Sequence, residues 1–365
     1  MADRILVSTR KGLFSLASGA GGWAVERVAF LGENVTLALA APEGWYAALN
    51  LGHFGVKLKF SPNRGATWED RAVPAYPDGA VIATADGKPP APATMKQFWA
   101  LESGAADQPD RLWAGTAPGG LFRSDDGGRS WELVRGLWDH PGRMKWFGGG
   151  TEFPALHTIC RDPRDPRTLR VAVSCGGVWV TPDDGASWEN VGTGLFADFM
   201  PPELKGDLGI QDVHMMAQCH SQPDHLWAQH HNGVFYSTDG GKTFEHVANA
   251  APSGFGFGVA VHPRDGKTAW FAPAVKDETR VPVGSQFVVS RTRDGGKTFE
   301  VLRDGLPQEH CYDLVYRHAL AIDDTGDRLA VGSTTGGLWV TDDQGDHWQP
   351  IAARLPPVHA VRFAA

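Results

Sequence analysis

The stretch SDDGGRSW, Ser124 to Trp131, decides the fold, because the chain writes it again and again. The same phrase, Ser/Thr-x-Asp-x-Gly-x-Ser/Thr-aromatic, returns as TPDDGASW from Thr181, STDGGKTF from Ser237 and TRDGGKTF from Thr292. Two worn copies flank them: SPNRGATW from Ser61, with Asn63 in the aspartate position, and TDDQGDHW from Thr341, with His347 in the second hydroxyl position. The spacings are 63, 57, 56, 55 and 49 residues. A repeat at this period marks an array of like structural units.

Each copy follows a short apolar run opened by small residues, such as GGLFRS at Gly119 and NGVFYS at Asn232. That order reads as strand, tight turn, strand. The aspartate suits a turn, accepting bonds from backbone N–H groups and the nearby hydroxyl. The glycine takes a backbone angle other residues resist, and the aromatic begins the next strand. The repeated aspartates are therefore read as structural.

The phrase is the Asp-box, or BNR repeat. The chain resembles the Asp-box propeller families: sialidases, xyloglucan hydrolases, sortilin-type receptors and a photosystem assembly factor. It looks most like bacterial BNR-repeat proteins described as glycosyl hydrolase or exo-sialidase-like. The resemblance speaks for fold and leaves function open, since one fold hosts many chemistries.

A seventh, degenerate unit is read at KGLFSLASGAGGW, where Lys11 to Leu16 match the strand and Trp23 the aromatic. Seven units in 365 residues average about 52 each, a propeller blade with loops. The first unit supplies only three strands, RILVSTR, GLFSL and WAVERV. The terminal PPVHAVRF is a spare strand expected to complete it, which leaves no unpaired sheet edge at the junction. The expected fold is all-β: one seven-bladed propeller of four-stranded antiparallel blades over residues 1–365, closed by the last strand.

Composition agrees. The 14 Trp and 42% hydrophobic content can fill the space between sheets, and 45 Gly with 25 Pro suit many turns. No apolar run approaches a membrane span, and MADRILVSTR lacks the core of a secretory signal. A net charge of −8 without a basic stripe argues against nucleic acid. The four cysteines lack metal-knuckle spacing and are expected to be free thiols. These features read as a cytoplasmic protein with a small-molecule substrate, not a membrane or nucleic-acid partner.

The resemblance implies that ligands sit opposite the Asp-boxes, over the channel. The long insertions 70–96, 133–153, 190–211 and 273–285 fall on that side, where loops carry function. His157, His214 and His359 occupy equivalent positions on the strands lining the channel. His230 and His231 in WAQHHNGVF, and His53 in LNLGHFGV, lie on matching turns. Neutral imidazole binds zinc, copper, iron or manganese, and three ligands plus an open position is the usual catalytic layout. His157, His214 and His231 are the expected ligands of a divalent metal, zinc before the others. Glu152, His53 and His230 are candidates for proton transfer, although a lone loop carboxylate such as Glu152 is commonly just solvated. Arg143, Trp146, Arg280 and Arg317 are candidates for holding an anionic or polar substrate. Trp99, Phe255 and Phe257 read as core packing.

Three functional classes stay open. The first is a metal-dependent hydrolase or lyase. The second is a glycoside hydrolase or sialidase, although the Phe/Tyr-Arg-Ile-Pro phrase of sialidases is missing and no facing carboxylate pair is evident. The third is a non-catalytic interaction or assembly platform.

Overall fold

The computed structural model describes residues 2–82, 89–149 and 152–364. Parts of the predicted insertions 70–96 and 133–153 therefore lie outside the described residues. Seven four-stranded antiparallel sheets follow one another along the chain. The fold is a seven-bladed β-propeller. Blade one comprises β1 (Arg4–Thr9), β2 (Gly12–Gly19), β3 (Gly22–Ala29) and the final strand β30 (Val358–Ala364). Blade two comprises β4 (Val35–Ala41), β5 (Gly44–Asn50), β6 (Val56–Ser61) and β7 (Glu69–Arg71). A hairpin of β8 (Val81–Ile82) and β9 (Ala91–Pro92) precedes blade three, which comprises β10 (Gln97–Ser103), β11 (Leu112–Ala117), β12 (Leu121–Ser124) and β13 (Glu132–Leu133). One helical turn, α1 (Arg135–Trp138), leads to blade four: β14 (Ala155–Arg161), β15 (Leu169–Ser174), β16 (Gly177–Thr181) and β17 (Glu189–Val191). Blade five comprises β18 (Val213–Gln218), β19 (Leu226–His230), β20 (Gly233–Ser237) and β21 (Glu245–Val247). Blade six comprises β22 (Gly256–Val261), β23 (Ala269–Pro273), β24 (Val289–Thr292) and β25 (Glu300–Leu302). Blade seven comprises β26 (Leu320–Ile322), β27 (Leu329–Gly332), β28 (Leu338–Thr341) and β29 (Gln349–Ala352).

Two compact units divide the chain. One is Met1–Ala40, His214–Gly240 and Glu245–Ala365, and the other Ala41–Val213 with Gly241–Phe244. Among the described residues no helix is long and apolar enough to cross a membrane. Among the described residues no cysteine forms a disulfide.

The spare C-terminal strand lands where the sequence places it: β30 pairs with β1 from Arg4↔Ala364 to Thr9↔Val358. The Asp-boxes are the turns between third and fourth strands, and their bonds repeat. In the first clean copy Asp126 accepts from the Ser124 hydroxyl at 2.8 Å, from the N–H groups of Arg129 and Ser130 at 2.9 Å each, and from the Ser130 hydroxyl at 2.6 Å. The Gly128 N–H donates to Ser124 at 2.8 Å, which pins the turn from its other side. Asn63 preserves the pattern, accepting from Ser61 and the Thr67 N–H while donating to the Thr67 hydroxyl. Burial opposes ionisation of Asp126, yet the bonds from Ser130, Ser124 and Arg129 hold its carboxyl at about 2. Asp183, Asp294 and Asp343 are likewise held below the usual carboxylate range. These carboxylates are saturated by their own turns, as expected of structural groups.

Tryptophans from the second strands stitch neighbouring blades. Trp227 donates to the Gly266 carbonyl at 2.9 Å and Trp270 to the Gln344 carbonyl at 2.8 Å. Each is fully buried and still satisfies its one polar atom.

Candidate functional site

The innermost strands carry a device that no single-strand pattern encodes. In β10, β14, β22 and β30 the pairing register slips near the start of the strand. The residues within or at the slip are Trp99, His157, Phe257 and His359. A bulge places one extra residue on one strand and re-aims its side chain. His157 and His359 therefore hold equivalent positions, as read from the sequence, and Phe257 holds the same one in blade six.

In the first unit the blade-six residue Phe257 joins a compact group centred on His214 of β18. The His214 ring stacks on Phe257, with centroids 4.5 Å apart and planes at 18°, and meets Phe255 edge-on at 5.5 Å. His214 Nδ1 lies 2.7 Å from the Gly256 carbonyl. A carbonyl only accepts, so this nitrogen carries the proton and Nε2 is the lone-pair nitrogen of the neutral ring. His231 stands edge-on to His214 at 5.7 Å between centroids, and their donor atoms lie within 4.8 Å. The guanidinium carbons of Arg280 and Arg317 lie 5.3 and 5.2 Å from the Phe257 centroid. Arg280 also pairs with Asp277 at 2.5 Å.

Beside this group a cavity of about 400 Å³ opens between two equivalent turns. One wall is the second-to-third-strand turn of blade five, with His231 and Gly233, backed by His246; the other is Lys276 to Glu278 from the long blade-six loop. Phe255 joins the lining. Gly233 has φ of 130°, and a Cβ there would stand 2.9 Å from His246 Nε2, so the close approach of this turn to His246 requires glycine. Glu278 is held below the usual carboxylate range by its own backbone N–H and by Lys276, 3.4 Å away.

The structure thus brings together His214, His231, Arg280 and Arg317, and corrects other assignments. His157 is fully buried, with Nδ1 2.9 Å from the Thr158 hydroxyl and Nε2 2.7 Å from the Val213 carbonyl. Each ring nitrogen already faces a protein oxygen, so it does not fit the expected ligand role. His230 is buried and its Nδ1 accepts from the Asn232 N–H at 3.0 Å, a turn-fixing role in place of proton transfer. Trp146, expected to touch substrate, lies 2% exposed in the core, edge-on to Trp179. Arg143 spends its donors on the carbonyls of Trp138 and Val81 and lies 3.9 Å over the Trp138 ring. Its half-burial lowers its pKa. His53 is exposed on a short turn against Phe54, and Glu152 is exposed on a bend.

Phe255 and Phe257 are buried, as expected, but they also form the platform of this group. Sequence reasoning passed over His246, Lys276, Asp277 and Glu278. The length of the loop 273–285 was the one available signal.

A BNR/Asp-box repeat profile matches residues 235–246, the box of blade five. The chain carries the BNR/Asp-box repeat. This Asp-box propeller is 28% identical over 181 residues to the oligoxyloglucan-reducing end-specific xyloglucanase of Emericella nidulans, a match covering 48% of this chain and 20% of that protein. The chain therefore spans about a fifth of that relative. Its fold is similar to the crystal structure of an ancestral GH74 enzyme, at 17% identity and a TM-score of 0.59, covering 87% of this chain and 38% of that one. It is similar also to YCF48 from Cyanidioschyzon merolae, at 13% identity and a TM-score of 0.52, covering 88% and 86%. Likenesses this distant speak to fold alone.

Proposed function

We propose that this Asp-box propeller is an enzyme of the glycosidase type, acting on a carbohydrate in the cavity between His231 and the Lys276–Glu278 turn. The observation that carries the reading is the cavity itself: about 400 Å³, lined by Phe255, two imidazoles, two carboxylates and a lysine. That is within the size range of small-ligand sites, which combine an apolar wall with a few placed polar groups. A sugar ring has an apolar face for Phe255 and hydroxyls for the histidines and carboxylates. The similarity to the xyloglucanase supports the choice of substrate class.

Asp277 and Glu278 are consecutive residues in one turn, so they do not flank a glycosidic bond as a facing carboxylate pair would. The roles divide across the cavity instead. Glu278, kept ionised beside Lys276, suits a base or nucleophile. His231, on the opposite wall, carries a ring nitrogen of the kind that can pass a proton to the leaving oxygen. The test is release of reducing ends from a panel of neutral and acidic polysaccharides, xyloglucan included, with Glu278→Gln and His231→Ala alongside. Absence of both turnover and binding across the panel would sink the proposal.

The His214–His231 pair supports a second reading, in which a divalent metal such as zinc binds there and polarises a substrate oxygen. Asp212, two residues before His214 in the chain, is of ligand type. Elemental analysis of wild type beside His231→Ala decides it: about one metal per chain, lost in the variant, supports this reading, and none in either removes it.

A further inference from the structure

Blade one ends in an outer strand unlike those of the other six. β3 runs for 8 residues, whereas β7, β13, β17, β21, β25 and β29 have 3, 2, 3, 3, 3 and 4. Among the described residues only β2 flanks it in its sheet, and Val25 and Val28 are 47% and 40% exposed. Such an edge presents a row of backbone groups to any strand that fits it.

The strand is complementary to itself turned end for end. Its centre reads Ala24-Val25-Glu26-Arg27-Val28-Ala29. Laid antiparallel on a second copy, with a twofold axis between Glu26 and Arg27, alanine faces alanine, Val25 faces Val28, and Glu26 faces Arg27. The two charge pairs are attractive, with Glu26 sharing its carboxylate with Arg4 of its own blade, 3.1 Å away, and the two valine pairs are apolar.

The register inside the blade favours a second copy over any other strand. Arg27 pairs with Ser15 and Val25 with Leu16, so Glu26 is an extra, bulged residue. The bulge sets Val25 and Val28, three positions apart, on the face shared by Leu16 and Phe14. A regular strand repeats every two residues and cannot match that interval. A second β3 carries the same interval and matches it about the twofold. The interruption that repels ordinary strands thus selects its own kind.

We propose that β3 pairs antiparallel with β3 of a second copy, joining two first blades into one eight-stranded sheet in a C2 dimer. Two eight-residue strands bury less than the ~1,200 Å² of a stable interface, so association is weak and concentration-dependent.

Sedimentation velocity from ~2 to ~200 μM tests this, a span chosen for interfaces of that size. The mass of 39.4 kDa at the dilute end should move toward twice that value. Arg27→Glu, which sets like charges across the axis, and Val28→Lys, which puts a cation on the edge, should each weaken the dimer at least ~10-fold. Both sites are exposed, so unfolding midpoints should match wild type. Glu26→Arg alone should also be monomeric, but mixed with Arg27→Glu it should restore a dimer, because both cross-axis pairs become attractive again. A wild type that stays monomeric throughout, a dimer that both variants leave intact, or a mixture that fails to associate overturns the proposal.

Discussion

Replacing Asp126 by alanine separates a structural Asp-box from a catalytic one. The carboxylate accepts from two hydroxyls and two N–H groups at 2.6 to 2.9 Å. Each such bond contributes roughly 0.5 kcal/mol net at a site open to water, about 2 kcal/mol for the four. The depressed acidity gives a second measure. A fall from 3.8 to about 2 is worth ~2.4 kcal/mol before screening, and halving it for solvent exposure leaves ~1 kcal/mol. A loss of 1 to 2 kcal/mol is therefore expected on this basis, roughly. Over 365 residues the unfolding entropy is ~0.8 kcal/mol/K, so the midpoint should fall by about 2 °C. Asp126→Asn should lose less than half of that, since Asn63 makes the same backbone contact in its own box. The sign with pH is fixed. The folded carboxyl is more acidic than the unfolded one, so its contribution is present above pH 3.8 and vanishes as pH falls through about 2. Differential scanning calorimetry at pH 7 and near pH 2.5 reads all of this. A midpoint unchanged in Asp126→Ala at pH 7, or an equal loss in Asp126→Asn, would refute the reasoning.

His157→Ala should destabilise the protein by about 2 to 4 kcal/mol, because it empties a buried site and strands the Val213 carbonyl. Metal content by elemental analysis should not change. Glu278→Gln should lower kcat by ~10²-fold or more on a cleaved glycan with KM little altered, and the midpoint should hold because Glu278 is exposed. His359 has its pKa lowered by burial, against the pull of the Val35 carbonyl bond. The unfolded chain therefore takes up its proton first, and stability should fall as pH drops from 6.5 through the folded value. His359→Gln should flatten that slope in unfolding experiments between pH 7 and 5.

The fold was legible because its signal is local. Six phrases with a fixed order of hydroxyl, carboxylate, glycine and aromatic specify six turns, and turns at a constant period specify blades. The closing strand was legible for a different reason: three strands at one end and one at the other balance only if β30 joins β1. The site was legible in part. The second-to-third-strand turn placed His231, and the long blade-six loop marked the facing wall. What the loop would present there, Asp277 and Glu278 beside Lys276, depends on how it folds back, and its sequence carries no period.

The misplaced residues share one cause: polar or aromatic identity is visible in a sequence, and satisfaction is not. His157 looks like a ligand until Thr158 and the Val213 carbonyl take its two nitrogens. Arg143 looks like an anion clamp until the carbonyls of Trp138 and Val81 occupy it. Trp146 looks like a substrate contact until it is found 2% exposed against Trp179. Most of these partners are backbone carbonyls, which any residue type supplies, and the Thr158 hydroxyl and Trp179 ring are brought there by packing. The converse holds for Phe257. An apolar residue on an inner strand reads as core, and it is buried. The register slip beside it sets its ring against His214 and two guanidinium groups. A bulge belongs to two strands together, so it is a property of their pairing and of neither sequence alone. In blade six the inner-strand bulge is therefore the step that sets Phe257 in the candidate site, while the same position holds tryptophan in blade three and histidine in blades four and one.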